Sequence, residues 1–257
     1  SHRCLECTHL TEVRNRHPDA LNILNFERPD WVFIPLAHSS PEVVIQRAFL
    51  QTIKLDSDLP HVEADRKITF YTDGGAINPT DPDARLASWA LVADPSDPSI
   101  NDIQMVSEHM GTSLHCPLLK VIGCCLVPGH QSAARGELVA FLQALRAAEK
   151  YGDHIAISIV TDASYVCFID HLLRLPIPGF PNHKIRNGDI IRLIQSHWNP
   201  RVQVFKTKSH RKVEDTADWF DLWTLYVNFA ADFAASAALQ RVPHAVSTMF
   251  HDIASFH

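Results

Sequence analysis

The sequence predicts an α/β fold: a mixed five-stranded sheet, made of an antiparallel meander plus two parallel strands, flanked by helices. Three observations predict it. From Lys67 onward, short β-branched and aromatic runs alternate with longer stretches whose apolar residues recur at helical spacing. The first three strand-like runs succeed one another with no helix between them, as antiparallel neighbours do. The later runs are separated by helices, as parallel additions are.

Length and composition bound the rest. A chain of 257 residues can bury one large core, and 46% hydrophobic with 20% charged residues is ordinary for a globular domain. No apolar run approaches the roughly 20 residues of a membrane span, and no charged-then-apolar leader opens the chain. The chain starts at Ser1, so a processed product or a piece of a longer chain is expected. A net charge of −6 argues against indiscriminate nucleic-acid binding but leaves room for a local basic track. The six cysteines have no framework spacing, so buried thiols in a reducing, intracellular compartment, nucleus or cytoplasm, are expected.

Residues 1–62 differ in character from the rest of the chain and read as a connecting segment. His2, Cys4, Cys7 and His9 have part of a zinc-knuckle spacing, whose first half would lie before Ser1. Two ordinary thiols are therefore preferred over zinc at Cys4 and Cys7. Trp31 to Leu36 reads as a short strand or loop, and Pro41 to Leu55 as a packed helix.

The main domain is read over 63–243. Lys67-Ile68-Thr69-Phe70-Tyr71-Thr72 is the first strand, closed by Asp73 with Gly74 and Gly75 behind it. Leu86 to Ala93 and Leu118 to Val127 are the second and third, with a variable excursion at 103–117. Ser132 to Lys150 is the clearest helix, capped by Ser132 and striped by Leu138, Phe141, Leu142 and Leu145. Ile155 to Val160 is a buried strand, succeeded by Asp162 and a helix from Ser164 to Leu175 that Pro176 stops. Asp189 to Trp198 is another helix, Val202 to Phe205 the fifth strand, and Trp219 to Arg241 a closing helix. Residues 244–257 read as a tail.

Four carboxylates then collect. Asp73 ends strand one, Asp162 ends strand four, Glu137 lies in the first turns of the main helix, and Asp232 lies on the closing helix. Functional groups gather at the carboxyl ends of parallel strands. An all-oxygen set with no Cys or His cage suits Mg²⁺ or Mn²⁺. Two such ions held about 3.5–4 Å apart are a known device for phosphodiester hydrolysis.

Residues 66–241 resemble the ribonuclease H family, in particular the domains that retroelements place beside a reverse transcriptase. The motifs are Tyr71-Thr72-Asp73-Gly74-Gly75, Pro128-Gly129-His130-Gln131 with Arg135-Gly136-Glu137-Leu138, Val160-Thr161-Asp162-Ala163-Ser164, Lys206-Thr207-Lys208-Ser209-His210, and Asn228 with Ala231-Asp232-Phe233-Ala234. The resemblance implies a ribonuclease H-like fold. It also implies hydrolysis of the RNA strand of an RNA–DNA hybrid, with two ions held by Asp73, Glu137, Asp162 and Asp232, and His210 as a mobile proton shuttle. It implies a reverse transcriptase domain as a partner in the same polyprotein.

Such a hybrid is read by its backbone and 2′-hydroxyls. Gly74, Gly75, Asn78, Gln131, Ser164 and Asn228 are the candidates for sugar and phosphate contacts. Arg135 can reach a phosphate or pair with an acid. Lys206, Lys208, Arg211 and Lys212 form the best candidate phosphate track, or a lysine-blunted strand edge. The stretch from His210 to Asp232 is longer than in compact relatives and offers Glu214, Asp215, Asp218 and Asp221 as rival acids. Asp232 is preferred because it shares a helix face with Asn228 amid small alanines. Asp218→Asn and Asp221→Asn are then expected to retain activity. Trp219, Phe220, Trp223 and Tyr226 are expected to pack. The competing readings are a catalytically inactive structural or connecting domain, another nuclease of the same fold, and a zinc-binding adaptor built on Cys4 and Cys7.

Overall fold

The structure, a computed structural model, describes residues 11–20, 59–63, 66–78, 85–94, 119–127, 131–178, 180–181, 185–209, 211–240 and 244–256. Several expectations lie outside these: zinc at Cys4 and Cys7, the elements at 31–36 and 41–55, the excursion at 103–117, and His210.

In chain order the elements are α1 (Thr11–Arg16), β1 (Lys67–Asp73), β2 (Ala76–Ile77), β3 (Leu86–Asp94), β4 (Lys120–Leu126), α2 (Ala133–Ala148), β5 (Ala156–Thr161), α3 (Ser164–Arg174), α4 (Gly188–His197), β6 (Gln203–Lys206), α5 (Trp219–Gln240) and α6 (His244–Phe256). A short 3₁₀ turn spans Val213–Asp215. None of the described helices is long and apolar enough to cross a membrane. The tail at 244–257 is thus mostly helical. Its Asp252 meets His17, just beyond α1, at 2.7 Å.

The sheet has six strands where the sequence predicted five. The extra one is β2, and it continues β1. Asp73 faces Ala90 of β3, and Ala76 faces Ala87 in the same antiparallel register. Gly74 and Gly75 interrupt the ladder without shifting it, and the Ser88 N–H still donates to the Gly75 carbonyl at 2.9 Å. β4 pairs β3 antiparallel, while β5 pairs β1 and β6 pairs β5 in parallel. This is the predicted meander with two parallel additions.

Each face of the sheet carries its own core. Ile68 and Phe70 of β1 point to one side, where they pack with Leu138, Phe141, Leu142 and Leu145 of α2. Tyr71 points to the other and packs with Trp223, Tyr226 and Val227 of α5. The small residues Ala230, Ala231, Ala234, Ala235 and Ala238 are all buried and let α5 lie close to the sheet. The Trp223 indole N–H donates to Asp94 at 2.6 Å and fastens α5 to the end of β3. Trp223 and Tyr226 pack as expected, but Trp219 and Phe220 do not: they are 48% and 56% exposed. They stand in the first turn of α5, ahead of the turns that cover the sheet.

Backbone approaches closely where the start of α2 crosses the end of β1 and the neighbouring β3. A Cβ on Gly74 would lie 2.7 Å from the Gly136 carbonyl carbon, and one on Gly136 would run into the Ser88 carbonyl oxygen. Backbone has nowhere to retreat there, so Gly136→Ala should cost at least about 1–3 kcal/mol. A urea-melting midpoint equal to that of the parent protein would contradict this close packing.

Candidate metal centre

Period-2 alternation puts Asp73 on the α5 side of β1, with Tyr71, while Gly74 faces α2. Because Thr72 pairs with Thr161, Asp73 and Asp162 leave the ends of two adjacent parallel strands together. The N-terminal part of α2 brings Glu137 across the gap left by Gly74. Ligand oxygens of Asp73, Glu137 and Asp162 all lie within 4.8 Å of one another. With Asp232 they line one cleft of about 290 Å³, whose wall also includes Gly74, Ser209, Arg211, Asn228 and Phe229.

Charge accumulates here against electrostatic cost. Burial raises the carboxyl of Asp73 from 3.8 to about 7, and the charges of Asp162 and Asp232 add to the rise. Glu137 is likewise raised by burial first, then by the charges of Asp73 and Asp162. The Gly74 N–H donates to both Asp73 and Glu137 and offsets part of the effect. Asp232 raises Asp73 further, and Asp73 raises Glu137 further. Carboxylates crowded this closely favour a bound positive charge. Glu137 Oε2 and Asn228 Oδ1 are buried acceptors with no protein partner. Orphaned oxygens among crowded carboxylates fit a hard divalent cation.

The rival acids are used elsewhere. Asp215 accepts from the Lys212 N–H at 3.2 Å, and Asp218 accepts from the Asp221 N–H at 2.8 Å. Asp221 pairs with Arg211. Glu214 is exposed and, like the other three, lies outside the cleft wall.

The binding candidates divide. Gly74, Arg211 and Asn228 line the cleft. Lys206, Lys208 and Lys212 are exposed, and so is Ser164, which opens α3 just after Asp162. Gln131 is engaged by backbone: its Oε1 accepts from the Ala87 N–H at 2.9 Å and its Nε2 donates to the Val127 carbonyl at 2.6 Å. That ties the meander to the start of α2 and takes both ends of the carboxamide away from a ligand. Asn78 comes just after β2 in a left-handed turn, φ 47°, outside the cleft wall. Arg135 is buried and donates through both Nη atoms to Asp189, at 3.0 and 2.6 Å. Of its two sequence readings, the ion pair is the one observed. It joins the first turn of α2 to that of α4. The sequence reading missed Gly136, whose signal was a glycine inside a first helical turn, next to a carboxylate.

No protein-family model matches the chain. No curated protein matches it either. Solved structures do. A prototype foamy virus protease–reverse transcriptase is 20% identical with a TM-score of 0.47, over 73% of this chain, which spans 22% of that one. The PFV RNase H domain is 21% identical with a TM-score of 0.44, over 66% of this chain and 93% of that one. A type 1 RNase H carrying a type 2 active-site motif is 14% identical with a TM-score of 0.41, over 75% of this chain and 87% of that one.

The geometry makes two predictions. Arg135→Ala leaves the half-buried Asp189 without its partner and should cost about 1–3 kcal/mol, whereas Arg135→Met with Asp189→Leu should be nearly neutral. Chemical denaturation checks both, and a harmless single change would show that the pair does not hold α2 against α4. The second concerns pH. Asp73 is raised, so the folded chain binds more protons than the unfolded one between about 4 and about 7. The metal-free protein should therefore lose stability as pH rises through that window, and Mg²⁺ should restore it. Asp232→Asn should raise the metal-free melting temperature at neutral pH and shrink the gain from Mg²⁺. A metal-free melting temperature that climbs with pH would refute this assignment of repulsion.

In strand order, strand direction and the packing of helices on both faces, the chain has the mixed α/β sheet that its sequence predicts.

Proposed function

We propose that this chain is a metal-dependent endoribonuclease that hydrolyses the RNA strand of RNA–DNA hybrids. The observation that carries the reading is the convergence of Asp73, Glu137 and Asp162 within 4.8 Å, with Asp232 on the same cleft. Single acids on a surface are commonplace. Four delivered by two strand ends and two helices, at a cost in repulsion, are not.

Asp73, Glu137, Asp162 and Asp232 would hold Mg²⁺ or Mn²⁺, two ions by the resemblance of the motifs. Such ions, when bound, supply Lewis acidity that activates a water nucleophile and neutralises the leaving oxygen. The chain does the rest. Asp73 and Asp162 fix the site on rigid strand ends, where position is held best. The Gly74 N–H orients the oxygens of Asp73 and Glu137. Asn228 offers its buried oxygen, and Arg211 brings the cleft a cation. Ser209 and Arg211, both on the cleft wall, flank His210 in sequence, which favours His210 as the proton carrier. Lys206 at the end of β6, and Lys208 and Lys212 beyond it, all exposed, are the assigned backbone track. A retroelement polyprotein, with a reverse transcriptase domain beside residues 63–243, is the context proposed from the motifs, and an intracellular location goes with it.

Purified protein incubated with labelled RNA–DNA hybrid, double-stranded RNA and duplex DNA tests this. RNA in the hybrid should be cut in Mg²⁺ or Mn²⁺ and spared in chelator, and Asp232→Asn should abolish cutting while the fold stays intact. Equal cutting of duplex DNA, or full activity in chelator, would sink the proposal. An intact fold with bound Mg²⁺ and no cleavage would favour the inactive connecting domain.

A further inference from the structure

Arg211 is the one cation among the described residues of the cleft wall. It belongs to no helix or strand, yet its guanidinium is fixed. It donates through both Nη atoms to the two oxygens of Asp221, and from Nη2 also to the Asp215 carbonyl at 2.6 Å. Asp221 stands in the first turn of α5, the helix that carries Asn228 and Asp232 into the cleft. Its own oxygen also accepts from the Ala217 N–H at 3.0 Å. The side chains of the pair are 16% and 26% exposed, so solvent screens them only in part. The carboxyl of Asp221 is held down at about 2, first by the Arg211 hydrogen bonds and then by the Ala217 N–H. The pair therefore stays charged wherever the protein is folded. Three guanidinium N–H groups are used in these bonds, which leaves donors on Nη1 and Nε for an anion.

A guanidinium whose plane is fixed this way presents its remaining donors in a set direction, which suits a phosphate better than a flexible lysine would. It also shares the cleft with the carboxylates, where a backbone phosphate meets like charge and needs a counterweight. Resting on the nuclease reading, we infer that Arg211 is the cleft's ligand for a nucleic-acid backbone phosphate, and that Asp221 is the positioning residue that aims it. Asp221 is then not a spare acid, and Asp221→Asn should lower kcat/KM through KM even though turnover is retained. The same pair ties the loop after β6 to α5, so Ser209 stays on the cleft wall.

Binding of a fluorescent RNA–DNA hybrid to the full chain in chelator, with cleavage kinetics in Mg²⁺, tests this. Arg211→Gln should weaken hybrid binding about tenfold and reduce the slope of log affinity against log salt by about one. Asp221→Asn should raise KM by a similar factor while kcat stays within about twofold, because it removes binding that ground and transition states share. The exchanged pair, Arg211→Asp with Asp221→Arg, should recover the melting temperature lost in either single variant but not the affinity. Parental affinity in the exchanged pair would show that the ion pair only braces the loop, and would overturn the inference. Unchanged affinity and slope in Arg211→Gln would overturn it too. A parent protein that binds no hybrid would instead bring down the nuclease reading, and this inference with it.

Discussion

Three carboxylates within 4.8 Å of one another repel, and the surrounding fold is organised to hold them together regardless. Asp73 and Asp162 cannot drift apart, because their strands are hydrogen-bonded neighbours in parallel register. Glu137 cannot withdraw, because α2 is packed along the sheet from Leu138 to Ala148. Asp232 is carried in by a helix whose alanines allow close contact. The hydrophobic cores on the two faces work against the charge at the strand ends. The balance shows in the raised carboxyls of Asp73 and Glu137, which burial drives and neighbouring charge augments.

That arrangement explains the glycines. Gly74 and Gly136 meet where β1 ends and α2 begins, and each leaves a space that a Cβ would fill with a backbone collision. Without that approach, Glu137 would stand farther from Asp73. The Gly74 N–H would then lose one of the two carboxylates it serves. Ser132 caps α2 by accepting from the Arg135 N–H at 3.2 Å, and the Arg135–Asp189 pair sets the helix against α4. Six residues, Ser132 to Glu137, thus carry a cap, an ion pair, a contact glycine and a ligand candidate.

Much of this was legible in the sequence, because strand and helix periods differ and the elements keep them cleanly. The strands from Lys67, Leu86 and Ile155 and the helix from Ser132 read from their own residues. The four carboxylates read from their positions at strand ends or on an inward helix face. What could not be read was partner choice. Arg135 had a phosphate and an acid as equal options, and only the placement of α4 brings Asp189 within 2.6 Å. Gln131 was polar and near a glycine, which says nothing of its reach to the Ala87 N–H and the Val127 carbonyl. The exposure of Trp219 and Phe220 depends on where α5 starts relative to the sheet edge, a tertiary matter that composition cannot report.

The cleft draws its charges from two kinds of support, and the difference has consequences. The carboxylates sit on strands and packed helices, whose positions the cores fix. The cation sits on a loop, and an ion pair with Asp221 does what packing does for the acids. A two-pronged pair constrains both the distance and the plane of the guanidinium, so the loop gains a defined orientation without a core of its own. It remains the weaker support, because a partly exposed pair yields to salt in a way that Leu138 or Phe141 does not. A backbone phosphate approaching Arg211 would take the donors on Nη1 and Nε that Asp221 and Asp215 leave open. The element best able to adjust to a substrate therefore shares the cleft with the rigid acids, with Ser209 on the wall beside it.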